Sequence, residues 1–469
     1  MTSDEHELKT DATTTKALIY TEDDTLRPEF VAKIRKHIHS ENAAKLIKRL
    51  APLHESELGD LLEALESEER RKLVELSGDT FDYGSLTEVD EAVRLDIVNA
   101  VSNHKIAEAV QELESDDAVF ILEDMEEADQ EEILSMVPLQ ERSRIQRSLD
   151  YPEETAGRRM STDFVAVPPF WSVGQTIDFM REDEDLPDRF HEVFVIGPSF
   201  ELVGYVALDR ILRTPRSTKI EEIKETNVHP IDVLEDQEEA ARVFEQYDLV
   251  SAAVVDEAER LVGVLTIDDV VDVIQQEADE DIKRLAGVGD EELSDSVLEI
   301  TRSRFTWLFL NLITAILASA VISLFDATLE QMVALAILMP IVASMGGNAG
   351  TQSMTVAVRA LATKDIDKYN MIRTIRREIL VGIINGVIFA VVIGIIAAFW
   401  FSNQTLGVVI GVAMIVNMFF AALSGILIPI ALNRLEIDPA IASSVFVTTV
   451  TDVVGFFAFL GLAAWWFGL

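Results

Sequence analysis

The hydrophobic residues follow three different patterns in three successive parts of the chain. From about residue 30 to residue 148 they recur at the three- and four-residue spacing of amphipathic helices, as in Leu58 and Leu62. After residue 151, short β-branched runs alternate with amphipathic helical segments, which is typical of an α/β region. From about residue 305 the apolar runs are long enough to cross a membrane. The pattern predicts a multidomain protein whose last part lies in a bilayer.

The helical part contains an internal repeat. Laying residues 58–73 over residues 118–133 matches Leu61 with Ile121 and Leu65 with Met125, at a constant offset of 60. This match favours stacked helical hairpins, and hence an all-α superhelical N domain. With so few copies, an ordinary helical bundle is the alternative.

The α/β part contains a duplication. The motif Leu202-Val203-Gly204-Tyr205-Val206 and its counterpart Leu261-Val262-Gly263-Val264-Leu265 each follow a short predicted strand, at 193–196 and at 252–255. This order resembles a tandem pair of CBS domains, small modules that pair face to face and often bind adenine nucleotides.

The two copies differ where such domains commonly hold a ribose. The second copy has Thr266 and Asp269 at the corresponding spacing, whereas the first has Ala207 and Arg210. The resemblance therefore implies one site for ATP or another adenine nucleotide. A ligand-free pair of modules with a structural role is the alternative.

Five apolar spans follow, each reaching the roughly 20 residues that a membrane helix needs. They are predicted at 306–325, 332–361, 379–401, 406–432 and 440–467. The second span is interrupted by a polar, glycine-rich run that includes Asn348 and Gln352, and lipid is an unfavourable neighbour for such residues. The run therefore indicates an ion pathway.

Asp452 is the carboxylate well inside the apolar spans, and Thr448 and Thr451 lie close to it in the sequence. A charge at this depth costs about 3 kcal/mol or more, so a functional role is the default interpretation. A protonated or hydrogen-bonded structural aspartate is the alternative. Helix packing accounts for the other polar or small intramembrane residues. These are Asn311, Asn385, Asn417, Gly382 and Gly386.

The charge is concentrated before the membrane part. Residues 1–300 hold 30 Lys and Arg against 74 Asp and Glu, while residues 301–469 hold 9 against 8. Such an acidic surface repels phosphate and argues against nucleic acid as a partner. Most of the carboxylates fit a solvated surface, and a subset could bind divalent cations between domains. With no cysteine in the chain, hard cations held by oxygen are favoured over zinc or copper.

Basic residues predict the orientation of the spans. Lys364, Lys368, Arg373, Arg376 and Arg377 connect the second and third spans, while the loops after the first and third contain no Lys or Arg. Positive charge marks the cytoplasmic side. We therefore expect a multi-pass protein of the plasma (inner) membrane, with its N-terminal domains in the cytoplasm and its C-terminus outside.

The run Gly347-Asn348-Ala349-Gly350-Thr351-Gln352 after Pro340, the five spans and Thr451-Asp452 resemble the MgtE family of magnesium channels. The resemblance covers nearly the whole chain. It implies a homodimer with a Mg²⁺ pore at the subunit interface, lined by the second and fifth spans. Mg²⁺ gives up its water shell reluctantly, so carboxylates and amides that contact this shell suit it well. Asn348 and nearby backbone carbonyls would be its polar partners. The implied pore residues are Gly347, Asn348, Ala349, Gly350, Gln352, Thr448, Thr451 and Asp452.

The resemblance also implies that intracellular Mg²⁺ closes the channel by binding to cytosolic carboxylates. Repulsion between clustered carboxylates would separate the domains without a divalent ion, and an ion would draw them together. The implied metal positions besides Asp452 are Asp117, Asp248, Asp269, Asp272, Glu277, Glu280 and Asp281. The predicted parts are a flexible acidic tail at 1–27, the N domain at 28–150, CBS domains at 151–216 and 217–274, a connecting (plug) helix at 275–304 and the transmembrane pore domain at 305–469.

Two other functions remain open. A secondary transporter could exchange a divalent cation against Na⁺ or H⁺, with Asp452 cycling between protonated and metal-bound forms. A membrane-anchored sensor could bind nucleotide in its CBS domains and use its spans only as anchors. An enzyme is not expected, because no nucleophile–base constellation or phosphate-binding loop is visible.

Overall fold

The computed structural model describes residues 19–468 except 24, 184–185, 188, 289–296, 365, 367–368 and 436, and only the backbone at 299, 441 and 442. The chain divides into two compact units, Met1–Glu277 and Ala278–Leu469.

The first unit begins with a helical region built around one apolar core. Its helices are α1 Pro28–His39, α2 Ala43–Leu50, α3 Glu55–Glu63, α4 Ser67–Ser77, α5 Glu91–Val98, α6 Asn103–Val110, α7 Ser115–Leu122, α8 Glu127–Met136 and α9 Leu139–Leu149. The hairpin α3–α4 recurs as α7–α8, and both helices start 60 residues later in the second copy. The matched residues Leu61 and Ile121 are both buried, so the offset in the sequence corresponds to a repeated helical hairpin.

The predicted flexible tail at 1–27 is too long. Residues 1–18 lie outside the described part, but Ile19 is 2% exposed and belongs to the helical core. The hydroxyl of Tyr20 donates to Asp60 Oδ2 at 2.5 Å, and Arg27 Nε donates to the Tyr20 carbonyl at 2.6 Å. The physical reason is that Ile19 and Tyr20 are apolar enough to bury, which the polar composition of the tail as a whole concealed.

In the described part of the chain, two small sheets follow, and each has three strands in the same arrangement. The elements are α10 Ala156–Arg159, β1 Ala166–Val167, α11 Val173–Glu182, β2 Glu192–Ile196, β3 Leu202–Ala207, α12 Leu208–Arg213, α13 Ile220–Ile223, β4 Ile231–Asp232, α14 Gln237–Tyr247, β5 Ser251–Val255 and β6 Leu261–Thr266. In each sheet the first strand is parallel to the middle strand and the third is antiparallel to it. The predicted duplication is therefore confirmed as a tandem pair of modules.

The two modules share an apolar cluster. Phe194 of β2 is buried together with Ala253 of β5 and Val264 of β6. At the edge of this contact, Ser251 Oγ donates to Glu192 Oε2 at 3.1 Å, and these residues begin the equivalent strands β5 and β2. The modules therefore pair through equivalent strands.

Helix α15, Ile267–Leu285, extends beyond the second module. The predicted boundary between residues 274 and 275 lies inside this continuous helix. The chain turns at Gly287, whose φ of +71° is readily adopted by glycine, so the predicted connecting helix at 275–304 does not run unbroken. The rest of that connection, 289–296, lies outside the described residues.

Among its described residues, the second unit contains five helices that are long and apolar enough to cross a membrane. They are α16 Val297–Ser323, α18 Val333–Ala362, α19 Met371–Trp400, α20 Gln404–Arg434 and α21 Pro439–Phe467, and a short helix α17 Asp326–Gln331 precedes α18. Helix α20 is the most buried of the five and contacts α18, α19 and α21. A Cβ at Gly382 would lie 2.9 Å from the Met418 carbonyl, so this glycine of α19 serves close helix contact as predicted.

Candidate functional site

The polar, glycine-rich run of the second span is helical throughout. Helix α18 continues from Val333 to Ala362 without a break, and Pro340 lies inside it. Helical hydrogen bonds therefore occupy the backbone carbonyls near Asn348, and the expectation that these carbonyls take part in the pathway is not supported. Side chains, rather than unwound backbone, form the polar surface here.

Helix α18 has one polar face that the described chain leaves uncovered. Asn348, Thr351, Gln352 and Thr355 are exposed, at the spacing of one helical face. Gly350 lies on the opposite, buried face. Gly347 and Ala349 are partly exposed between the two.

The predicted residues of α21 also fall on different faces. Thr448 is exposed, and Asp452 lies one turn later and is partly buried. Thr451 is fully buried, and its Oγ1 donates to the Thr448 carbonyl at 2.9 Å. Thr448 and Asp452 are therefore more accessible to an ion than Thr451.

Glycines set the contact between these helices. A Cβ at Gly350 would lie 2.6 Å from Val447 Cγ1 and 3.3 Å from Thr451 Cγ2, both on α21. A Cβ at Gly425 of α20 would lie 2.6 Å from the Gly350 carbonyl. Such distances leave no room for a methyl group, so α18, α20 and α21 are interlocked at the level of the predicted pathway.

Sequence reasoning missed one buried carboxylate in this unit. Glu378 of α19 is 8% exposed and accepts a hydrogen bond of 3.2 Å from Ser353 Oγ of α18. Arg377 Nε lies 3.5 Å from its other carboxylate oxygen. The signal was present in the sequence, because Glu378 immediately precedes the predicted start of the third span at 379 and a carboxylate at that edge must find a partner.

The end of α15 that belongs to the second unit contacts the helices of the predicted pathway. Arg284 pairs with Glu280, and its Nη1 donates to Asp438 Oδ2 at 2.8 Å, next to the start of α21. Burial, and then the charge of Asp438, raises the pKa of Asp281. Leu285 packs against a small apolar cluster of α18 and α21 residues, namely Met354, Val358, Ala440 and Val447.

In the first unit, three predicted or neighbouring carboxylates lie close enough to repel one another. We call Asp116, Asp117 and Asp269 the acidic cluster. The first two occupy the first turn of α7, and Asp269 occupies the first turn of α15. Ser115 anchors the start of α7, since its Oγ accepts hydrogen bonds from the backbone N–H of Thr162 at 2.8 Å and from its hydroxyl at 2.9 Å.

Burial and mutual repulsion raise the pKa values of the three carboxylates in the acidic cluster. Burial, and then the charge of Asp269, raises the pKa of Asp117 to about 7. Burial also raises the pKa of Asp269 to about 6, against the opposing hydrogen bond from Thr266. The pKa of Asp116 is raised by burial and by Asp269, and its Oδ1 is buried without a hydrogen-bonding partner among the described residues. Each carboxylate is thus less stable when charged, which a nearby cation would reverse.

The remaining predicted metal positions are spread over the unit. Burial raises the pKa of Asp272, and the charge of Asp272 adds to the burial that raises the pKa of Glu88. Glu277 Oε1 accepts a 2.7 Å hydrogen bond from Gln237 Nε2. Asp248 is exposed at the left-handed end of α14. Among the described residues, no three acidic or histidine side chains converge closely enough to hold a metal ion.

The predicted ribose-binding pair is preorganised. Thr266 Oγ1 donates to Asp269 Oδ2 at 2.6 Å, so the two side chains lie side by side. In the first module, Arg210 Nη1 instead donates to Glu225 Oε1 at 3.0 Å. Asp269 is shared between this pair and the acidic cluster.

Comparison with known proteins gives consistent results along the chain. The family described as "Divalent cation transporter" matches residues 339–462, the MgtE intracellular N domain matches residues 53–154, and the CBS domain matches residues 156–217 and 220–276. The chain is also similar to a crystal structure of "the soluble part of a magnesium transporter", at 25% identity and a TM-score of 0.47 over 53% of this chain and 98% of that one.

Two curated relatives, each named "Magnesium transporter MgtE", match most of the chain. The protein of Bacillus subtilis is 34% identical over 378 residues, which is 80% of this chain and 84% of the relative. The protein of Thermus thermophilus is 32% identical over 362 residues, or 76% and 78% of the two chains. The chain therefore belongs to the MgtE family of divalent cation transporters.

Proposed function

We propose that this protein is a Mg²⁺-selective channel that takes up magnesium across the plasma membrane and closes when intracellular Mg²⁺ binds to its cytosolic part. Magnesium transport is the named activity of the curated relatives. The single observation that carries the proposal is the uncovered polar face of α18, with Asn348 and Gln352 at membrane depth. Lipid cannot satisfy these amides, so this face must meet water or protein.

A second copy of the chain would cover this exposed polar face of α18. In a homodimer the α18 faces of two subunits would enclose a polar path, and Asp452 from each subunit would face a hydrated ion. Mg²⁺ gives up its water reluctantly, so exposed amides and partly buried carboxylates suit its hydration shell better than a tight cage of protein ligands. The lipid-facing surfaces would be the apolar outer faces of α16 and α19, which are largely exposed in the single chain.

Basic residues at the helix ends support the proposed orientation of the spans. Arg359, Arg373 and Arg377 lie near the end of α18 and the beginning of α19, and Arg434 ends α20. These ends would all be cytoplasmic. The N-terminal domains would then be inside and the C-terminus outside.

For regulation, we propose that the gating Mg²⁺ binds at the acidic cluster and its neighbours through its water shell, because no three of the described side chains converge closely enough to coordinate it directly. The raised pKa values of Asp117 and Asp269 indicate carboxylates that are costly to ionise together. A divalent cation would remove that cost and draw α7 toward α15. The same binding free energy would then favour the closed arrangement.

The contact of Arg284 with Asp438 gives the first test of how closure reaches the pathway. We expect Arg284→Gln to weaken inhibition by cytosolic Mg²⁺ about fivefold to thirtyfold, because one charge-assisted hydrogen bond contributes about 1–2 kcal/mol. The measurement is Mg²⁺ uptake into proteoliposomes against internal Mg²⁺. The matched control is Arg213→Gln, which changes an arginine that is 82% exposed. Equal inhibition of both variants and wild type would contradict this route.

Inhibition should also depend on pH. The pKa of Asp117 is about 7 in the folded protein, above its ordinary value of 3.8, so folding favours its protonated form and this contribution to stability falls as pH rises through 7. Mg²⁺ must displace that proton, so we expect its inhibitory affinity to increase by about tenfold in all as pH rises from about 6 to about 8, because the ionised fraction of Asp117 rises by about that factor. Measured in Asp117→Asn, this dependence should be weaker. An equally steep dependence in that variant would contradict the assignment.

An adenine nucleotide is the second proposed ligand. Thr266 and Asp269 are held together by their hydrogen bond, and ribose hydroxyls would engage the same two side chains. Because Asp269 also belongs to the acidic cluster, ATP and regulatory Mg²⁺ would influence each other's binding. Calorimetric titration of the full-length protein with ATP should give binding that Thr266→Val weakens.

The function itself is tested by Mg²⁺ uptake into liposomes that contain purified protein. With no Na⁺ or pH gradient, we expect uptake driven by the Mg²⁺ gradient and voltage alone. Uptake that requires a Na⁺ or H⁺ gradient would favour a coupled transporter. No flux in folded protein would favour a membrane-anchored nucleotide sensor.

A further inference from the structure

Asn417 lies at the centre of the most buried membrane helix and is 0% exposed. Its Nδ2 donates a 2.8 Å hydrogen bond to the Val342 carbonyl of α18. Its Oδ1 is buried and has no hydrogen-bonding partner among the described residues. The side chain is thus held at one end and left unsatisfied at the other.

Glycines on two different helices accommodate this amide. A Cβ at Gly455 of α21 would lie 2.9 Å from Asn417 Nδ2 and 3.0 Å from its Cγ. A Cβ at Gly346 of α18 would overlap the same amide. One polar side chain of α20 therefore fits between the two helices that carry Asn348 and Asp452.

Simple packing does not account for an asparagine at this position. A leucine has a similar shape and would fill the space without a polar group to satisfy, whereas burying an amide with an unpaired oxygen is unfavourable. The hydrogen bond to α18 and the glycine contact with α21 instead fix where each helix lies along α20. This is a stronger constraint than apolar packing gives, because a hydrogen bond has a defined length and direction.

The contact of Asn417 with Gly346 and Gly455 lies close to the proposed ion path. Asn348 follows Gly346 by two residues, and Asp452 precedes Gly455 by three. Since α18 and α21 are continuous helices at these points, a displacement at the contact would move both polar residues with it. The position of Asn348 relative to Asp452 therefore depends on the contacts that Asn417 makes with α18 and α21.

We propose that Asn417 is a positioning residue that sets the register of α18 against α21 and thereby tunes ion selectivity. This inference rests on the proposed channel function. Asn417 does not touch the ion path itself, and it acts through the two helices that it holds.

The first test is a distance measurement that needs no transport activity. The chain has no cysteine, so Thr351→Cys and Thr448→Cys can carry spin labels on exposed sites of α18 and α21. Labelled protein is mixed with excess unlabelled protein so that distances within one subunit dominate. We expect Asn417→Leu to shift or broaden this distance distribution, and the matched control Asn385→Leu on α19 to leave it unchanged. An unchanged distribution in Asn417→Leu would overturn the proposal.

The second test measures selectivity. We expect Asn417→Leu to change the ratio of Mg²⁺ to Mn²⁺ uptake about fivefold, which corresponds to about 1 kcal/mol in relative barrier height. A merely structural role would lower the amount of folded protein and leave the ratio as it is in wild type. A shifted distance with an unchanged ratio would overturn the link to selectivity. If wild-type protein shows no flux at all, the channel proposal fails, while the distance measurement still decides the role of Asn417.

A double mutant tests the glycine contact directly. Gly346→Ala alone should abolish uptake, because its methyl group would overlap the Asn417 amide. Combined with Asn417→Ala, which makes room for that methyl group, it should recover folded protein and part of the uptake, with altered selectivity. Strictly additive effects of the two substitutions would contradict the proposed contact.

Discussion

Mg²⁺ uptake should fall about a hundredfold when Asp452 is replaced by asparagine. The substitution keeps the size of the side chain and removes its charge. A carboxylate near a divalent ion in a partly buried site contributes several kcal/mol, and a loss of about 3 kcal/mol corresponds to this factor. The expectation is measured as Mg²⁺ flux into proteoliposomes that contain equal amounts of folded protein.

The control for this substitution is Glu330→Gln, which changes an exposed carboxylate of the short helix α17. We expect its uptake to equal that of wild type. Full uptake in Asp452→Asn would leave Asp452 as a structural residue. Uptake that persists but loses its dependence on pH would indicate that Asp452 takes part in proton coupling.

Inhibition by intracellular Mg²⁺ should be largely relieved in Asp117→Asn. The substitution removes one charge from the acidic cluster, so the cluster repels itself less without Mg²⁺ and gains less from binding it. We expect the inhibitory concentration of Mg²⁺ to rise about tenfold, which corresponds to about 1.4 kcal/mol. Uptake at low internal Mg²⁺ should remain, because the substitution lies in the first unit.

The matched control is Asp79→Asn in the same helical region, since the Asp79 side chain is 95% exposed. Its inhibition should be unchanged. If both substitutions weaken inhibition equally, the effect comes from the overall acidity of the surface and not from the acidic cluster.

The sequence predicted the elements of the fold well where one pattern dominates. The repeat at an offset of 60 corresponds to two helical hairpins, and the duplicated motifs correspond to two sheets of the same topology. These patterns follow directly from burial at helical and strand spacing. The tail was misjudged because two apolar residues, Ile19 and Tyr20, were outweighed by their polar neighbours.

The candidate sites were only partly predictable, because they depend on which residues meet in space. Asp117 and Asp269 were predicted from the family resemblance. Asp116 was identified only in the structure, where it is buried close to both of them. Glu378 was missed because its partner Ser353 lies on another helix. Asn417 was predicted to serve packing, and the glycines that receive its amide come from two separate helices. Such contacts have no local signature in the sequence.

Whether the protein is a Mg²⁺-gated channel is decided by the Mg²⁺ current through the purified protein in a planar bilayer, with Mg²⁺ as the permeant cation and no Na⁺ or pH gradient. We predict a current when Mg²⁺ is chelated on the side of the cytosolic domains, and closure when Mg²⁺ is added there. A protein that carries no Mg²⁺ current under either condition, or a current that cytosolic Mg²⁺ leaves unchanged, would contradict a channel gated by its own ion.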